Sequence, residues 1–367
     1  MRDERVEKLA DILVDYSVGV KEKDMCIIRG SYIAEPLILA IYQRCLERGA
    51  YPMLRTSLPQ SEPMFYRYAK DHQLEYIWET DRWIYENIDV LFSIISDTNT
   101  RQLSKIDPAK QTKVATARKP LMDRYLQRAA DGDLRWNVTL FPTEAHAQEA
   151  EMSLAEYEDF YYGACLVQAS DPVAEWKKVA ERHARLIEWM KGRKEVHIEG
   201  EGTDLYLGVE DRIFIPADGK ENFPDGEIFT GPEEDKTRGH VTFTYPAIYG
   251  GVSVEGIRLE YEKGRIVEAT ARKNEDYLMK TLDTDPGARV LGELGIGTNY
   301  GIDSFTGEIL LDEKIGGTVH LASGASYPET GGKNESAVHW DMVCDLRKGG
   351  RITVDGDVLM EDGKLLV

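Results

Sequence analysis

The spacing of apolar residues changes once along this chain, near residue 190, and no single motif constrains the fold as much. Before that point strand-like runs alternate with helical ones. Met25–Arg29, Tyr51–Thr56, Val90–Ile95 and Val138–Phe141 read as strands. Between them lie segments with apolar residues three and four apart: residues 3–17 (Val6, Leu9, Ala10, Leu13, Val14), Leu37–Leu46, 61–71 and Leu121–Ala129. Pro142-Thr143 opens a further helix, and Pro172–Lys191 is a long one. Strands separated by helices predict a mainly parallel sheet covered on both faces, because parallel neighbours need a crossover long enough to hold a helix.

After Gly192 the runs shorten and glycine becomes frequent. Glu195–Glu199, Asp204–Val209, Arg212–Ile215, His240–Ala247, Val252–Glu260 and Arg265–Arg272 read as strands, interrupted by one helix, Asn274–Leu282. Turn signals every 8–12 residues or so predict antiparallel pairing. The expected architecture is an α/β N-terminal domain over residues 1–191 and a strand-rich α+β C-terminal domain over 192–367. At 367 residues the chain is long enough for two cores.

Charge excludes one class of partner. Lys and Arg number 45 against 65 Asp and Glu, a formal net charge of −20. A nucleic-acid surface needs clustered positive charge, so no nucleic-acid partner is expected. No apolar run approaches the roughly 18 residues of a membrane span, so no membrane partner is expected either. The mixed-charge opening Met1–Lys8 lacks the apolar segment of a secretory leader. Cys26, Cys45, Cys165 and Cys344 form no CxxC pair and suit a reducing compartment. The expected location is the cytoplasm.

Chemistry concentrates in the second half. His72, His146 and His183 sit in helical stretches without nearby His or Cys partners, and His197 alternates with Val196 and Ile198 so as to face solvent. His240 follows a charged loop. His339-Trp340-Asp341 is different: in a strand, positions i and i+2 share a face, so imidazole and carboxylate can reach one ion. The flanking Ala337-Val338 and Met342-Val343-Cys344 make that strand apolar, and a buried charged pair there needs a partner or a metal. His320 lies in a second glycine-bounded apolar strand, with Tyr327-Pro328 seven residues on. Glu227 in FPDGEIFTGP and Glu293 in LGELGIGTN are acids among apolar residues and turns. The Gly292, Gly295, Gly297 spacing lacks the βαβ setting of a dinucleotide loop. Two imidazoles and three carboxylates form a nitrogen and oxygen donor set suited to zinc, cobalt, manganese or iron. Five side chains suit two ions sharing a carboxylate better than one.

These segments, FPDGEIFTGP, LGELGIGTN, GGTVHLASGASYP and VHWDMV, resemble those of the M29 family of metallo-aminopeptidases, of the aminopeptidase T and aminopeptidase S type. The resemblance extends over the whole chain in segment order. It implies Glu227, Glu293, His320, His339 and Asp341 as ligands of two divalent metal ions, zinc or cobalt, with manganese or magnesium as alternatives. It implies that Tyr327 polarises the scissile carbonyl and that Glu293 or Glu227 moves the proton. It further implies short peptides with a free N-terminus as substrates, and a homodimer. Two rival readings share the scaffold. One is a single-iron, ring-cleaving dihydroxypyridine dioxygenase, which keeps the HxD pair but has a histidine near where Glu293 lies. The other is a non-catalytic, metal- or ligand-binding relative.

Overall fold

The computed structural model describes residues 3–367, which divide into two compact units: 3–173 with 219–223, and 174–218 with 224–367. The first unit is a five-stranded, wholly parallel sheet. Its strands β1 (Met25–Ser31), β2 (Tyr51–Ser57), β3 (Val90–Ile95) and β4 (Arg135–Leu140) stand in the order β2-β1-β3-β4, and Asn222–Phe223 is added beside β4. Cys26–Ile28 and Val90–Phe92 are buried, as expected of strands covered on both faces. The opening helix Glu4–Asp11 starts where the Asp3 carboxylate accepts from the Arg5 amide, and continues through one π-helical stretch to Ser17. Thr143 likewise caps the helix Glu144–Glu149 by accepting from the His146 amide.

Helix Pro108–Ala130 is much longer than the segment Leu121–Ala129 expected from apolar spacing. Only Val114, Leu121 and Arg128 along it are buried, so its first half carries no apolar stripe to read. The expected helix over 61–71 is two pieces, Ser61–Tyr68 and Asp71–Leu74, and a helix at Glu79–Asn87 joins them.

The second unit is strand-rich and antiparallel. An eight-stranded sheet runs in the order 265–270, 258–262, 238–242, 203–208, 195–200, 351–354, 357–361, 364–365. A five-stranded sheet runs His339–Asp345, Thr318–Gly324, Leu291–Gly297, Glu227–Thr230, Ile215–Ala217. The run expected as one strand over 240–247 is broken between Arg238–Thr242 and Ala247–Tyr249. The latter pairs with Val252–Val254 across Gly250 and Gly251, both at positive φ, which only glycine adopts freely.

The helix Pro172–Met190 places Leu186 and Met190 in the second unit's core, so the division falls at this helix's start, whereas the expected boundary at 191/192 lies at its end. Residues 219–223 return to the first unit because Asn222 and Phe223 pair with β4.

Candidate metal centre

The five-stranded sheet of the second unit has two unlike faces, and alternation decides which residue joins which. Leu294, Ile296, Val319, Leu321, Trp340 and Met342 point into the apolar core. The residues between them are polar or small, with Val343 the exception. Glu293, Ala322 and Asp341 lie in one row across three strands; Gly295, His320 and Val343 form the next row, and Gly297 opposes Glu227. A register shift between Leu291 and Glu293 is what lets Leu291 face the core while Glu293 faces the other way. Gly295 has no alternative: a Cβ there would sit 1.9 Å from His320 Cε1.

The structure brings all five expected residues together. His320 Nε2 lies 3.2 Å from Glu227 Oε2 and 3.4 Å from Glu293 Oε1. His339 Nε2 lies 3.1 Å from Glu293 Oε2 and 3.5 Å from Asp341 Oδ2. Glu293 thus turns one oxygen toward each imidazole. The donor atoms form two triads sharing Glu293, namely Glu227/Glu293/His320 and Glu293/His339/Asp341, each with its atoms within 4.8 Å of one another, and Glu313, His320 and Asp341 form a third group within the same limit. Both outer ring nitrogens face backbone carbonyls, His320 Nδ1 that of Glu313 at 3.0 Å and His339 Nδ1 that of Ala325 at 2.9 Å. Donating there leaves each Nε2 with a lone pair aimed into the cluster when the ring is neutral. The Tyr327 ring packs edge-on against Phe229 and His339, at centroid distances of 5.4 and 5.2 Å.

Charge balance inside the cluster is tight. Burial pushes the Glu227 carboxyl up to about 8 against the pull of Lys314 and His320. Burial also acts to raise Glu293, but hydrogen bonds from His320 and His339 overcome it and hold that group at about 2. Burial lowers both imidazoles, yet the surrounding carboxylates raise His320 to about 10 and His339 to about 9. Asp341 is raised by burial to about 6. Protons on the imidazoles therefore act as counter-charge to the acids. Although Tyr327 is 40% exposed, its phenol is held protonated, by partial burial first and then by the Glu293 and Asp341 carboxylates.

Lys314 and Glu313 were not among the expected site residues. Lys314 is 1% exposed. Its ammonium bonds Glu227 Oε1 and lies 2.7 Å from Glu313 Oε1 and 3.6 Å from Asp225 Oδ1. Burial alone would lower it, but the three carboxylates hold it well above the usual lysine range. Its signal in the sequence was the run Asp312-Glu313-Lys314 heading a glycine-bounded apolar strand. Among the histidines set aside, His183 is buried with Nε2 2.7 Å from Thr298 Oγ1, and burial lowers it to about 3. His197, expected to face open solvent, instead stacks on Tyr206 at 3.8 Å and reaches Asp204 Oδ1 at 2.7 Å. Tyr206 is its partner directly across the neighbouring strand, which alternation within one strand cannot reveal.

The donor set fits a divalent cation. Glu227 Oε2 and Asp341 Oδ1 are buried and make no hydrogen bond, although buried polar atoms are as a rule satisfied. Nitrogen and oxygen donors without a thiolate suit a hard or borderline ion.

Residues 2–365 match the family of thermophilic metalloproteases designated M29. The chain belongs to that family. Aminopeptidase T of Thermus thermophilus is 24% identical to the M29 chain over 400 residues, covering 98% of this chain and 95% of that one. The solved structure of wild-type AmpT from Thermus thermophilus superposes with a TM-score of 0.86 at 22% identity, covering 99% of both chains. The 2,5-dihydroxypyridine dioxygenase of Pseudomonas putida KT2440 shares the fold more loosely, with a TM-score of 0.56 at 14% identity over 99% of this chain and 97% of that one. As an M29 metalloprotease the chain is a metal-using hydrolase. Among the described residues no helix is long and apolar enough to cross a membrane.

Proposed function

We propose that this M29 chain is an aminopeptidase that removes N-terminal residues from short peptides with two divalent ions, zinc or cobalt, for which manganese or magnesium can substitute. Glu227, Glu293 and His320 would hold one ion, and Glu293, His339 and Asp341 the other. One observation carries this reading: the two oxygens of Glu293 face different imidazoles. Ions bound there would supply Lewis acidity, polarising a peptide carbonyl and acidifying the attacking water.

The remaining work falls to the chain. The carbonyls of Glu313 and Ala325 orient the two imidazoles so that Nε2 faces inward. Lys314 neutralises Glu227 Oε1 and leaves Oε2 for the site. The hydroxyl of Tyr327, kept protonated, donates to the oxygen that becomes negative as the carbonyl is attacked. Glu293 or Glu227, whichever keeps an oxygen free of the ions, would take the proton from water and hand it to the leaving amine. Surplus carboxylate favours a substrate ammonium, which restricts cleavage to the free amino end. We place the enzyme in the cytoplasm as a homodimer.

The test is hydrolysis of leucyl peptides, free and N-acetylated, by chelator-stripped protein reloaded in turn with zinc, cobalt, manganese and iron(II). Cleavage confined to the free-amine peptide, restored by a divalent ion and cut roughly a hundred- to ten-thousand-fold by Glu293→Gln, is the expected result. Equal cleavage of the acetylated peptide, or none with any ion, would overturn it. Oxygen consumption with a dihydroxypyridine would then favour the dioxygenase.

A further inference from the structure

A parallel sheet covered by helices normally turns apolar side chains toward them. On one face of the first unit's sheet Ile27 and Leu91 do so, packing with Ile84 and Ile88. Two residues further on, the same face carries a polar row. Arg55, Arg29 and Ser93 are register partners across β2, β1 and β3, and one step beyond, Ser57 pairs with Ser31. There the layer opens into a cavity of about 1060 Å³, walled by residues of the helices Ser61–Tyr68, Glu79–Asn87 and Pro108–Ala130. The cavity lies at the carboxyl ends of strands whose order reverses, since the chain passes from β1 to β2 on one side and returns to β3 on the other. Such switch points are where open α/β sheets take ligands. Every residue lining it belongs to the first unit.

Several polar groups in this cavity lack their natural partners. Arg29 donates from Nε to Ser93 Oγ at 2.8 Å and from Nη1 to the Tyr85 hydroxyl at 3.2 Å, but no described carboxylate pairs with it. Arg55, its neighbour, is paired with Asp81 at 2.7 Å. Ser96 is 5% exposed, and its Oγ is buried without a hydrogen bond, as is Gln102 Oε1. Glu62 forms no hydrogen bond or ion pair with a described residue; burial and then the like charge of Asp97 raise its carboxyl, and the Arg118 guanidinium, also in the cavity wall, pulls it only partly back. The cavity therefore offers Arg29 without a carboxylate and, apart from it, two carboxylates, Glu62 and Asp97, with one guanidinium, Arg118, near them. Phe65, Leu121 and Met122 supply apolar wall.

We propose that this cavity binds a small zwitterion, a free amino acid or short peptide, with its carboxylate on Arg29 and its ammonium at Glu62 and Asp97. A phosphate or nucleotide fits less well, because Arg55 already faces Asp81 and Arg118 already faces Glu62, while Asp97 would meet it as a like charge within a chain of net charge −20. The site shares no residue with the metal centre, and it stands or falls independently of the peptidase reading.

The test is titration calorimetry on the full-length Glu293→Gln chain, which does not consume a peptide, with leucine, dileucine, leucinamide and inorganic phosphate. One-site binding of leucine or dileucine is expected, and the tighter of the two identifies the source. Leucinamide, which lacks the carboxylate, should bind roughly tenfold more weakly or worse. Arg29→Met and Glu62→Gln, each added to that background, should weaken leucine by a similar factor, with Arg29→Lys intermediate because it keeps charge but loses the fork. Circular dichroism of each variant separates lost binding from lost fold, and Glu62→Gln carries the test if Arg29→Met does not fold. Absence of binding, binding unchanged in both Arg29→Met and Glu62→Gln, or phosphate binding tighter than leucine would overturn the proposal.

Discussion

Each unit places charged side chains on a sheet face where apolar ones would be ordinary, and the two do it at different depths. In the second unit Glu227, Glu293 and His320 sit within strands, at 4%, 4% and 1% exposure, and each finds its partner on a neighbouring strand. In the first unit Arg29 and Arg55 sit near strand ends in an open hollow, where water can serve them. The difference teaches that depth, more than the number of charges, decides how much of the fold depends on a polar cluster. A buried charge left alone is costly, while one at an open edge is nearly indifferent to its partner.

The sharpest way to break that comparison is at Lys314. Replacing it by Met leaves Glu227, Glu313 and Asp225 without their shared cation, and should cost about 3–5 kcal/mol in denaturant unfolding of the metal-free protein. A loss no larger than that of Arg29→Met, measured alongside, would show that depth does not matter here.

Asp312 gives a pH-resolved version. Burial raises its carboxyl to about 8 although it accepts from the Thr306 amide at 2.7 Å and hydroxyl at 2.8 Å. A raised folded-state value means full stability below the ordinary carboxylate range and progressive loss as pH climbs through about 8. Thermal melts from acid to alkaline pH should show a decline on the order of a few kcal/mol that Asp312→Asn reduces, the remainder belonging to Glu227 and Asp341, which are raised in the same way. An identical pH profile in the variant would refute this.

Gly295→Ala drives a methyl into the His320 ring and should cost about 1–3 kcal/mol together with weakened metal uptake, read by melting and by zinc titration. Unchanged zinc affinity would mean that the imidazole position is not set by that contact. The smallest effect belongs to the first unit's surface. Arg101 and Glu149 meet at 2.7 Å, with side chains 50% and 23% exposed, and the guanidinium holds Glu149 at about 2. That depressed value means the contribution is present at neutral pH and is lost as pH falls toward 2. Because solvent screens the pair, Arg101→Ala should cost about 0–1 kcal/mol at neutral pH and less in high salt. A larger loss would erase the contrast between the units.

Much of this arrangement is legible in the order and spacing of the residues. Alternating strand and helix runs point to the parallel sheet, and glycine-punctuated short runs to the antiparallel unit, because side-chain period and turn chemistry are local properties. The five polar residues at the candidate metal centre stand out because acids and imidazoles are poor tenants of apolar strands. Other features are hidden for equally definite reasons. The first half of Pro108–Ala130 has no apolar stripe, and the pairing of Asn222–Phe223 with β4 joins residues more than eighty apart. Lys314 looks like a surface residue until Glu227, Glu313 and Asp225 close around its ammonium.

The sequence by itself determined the period of the strongly patterned elements and the nitrogen and oxygen chemistry that Glu227, Glu293, His320, His339 and Asp341 offer, since both reside in side-chain identity and spacing. Only the tertiary structure decided that Glu293 turns one oxygen to each imidazole, that Lys314 balances the acids, and that Arg29 and Arg55 stand side by side in a hollow. Those are matters of strand order and register, and register is set by which faces pack against which across the whole unit.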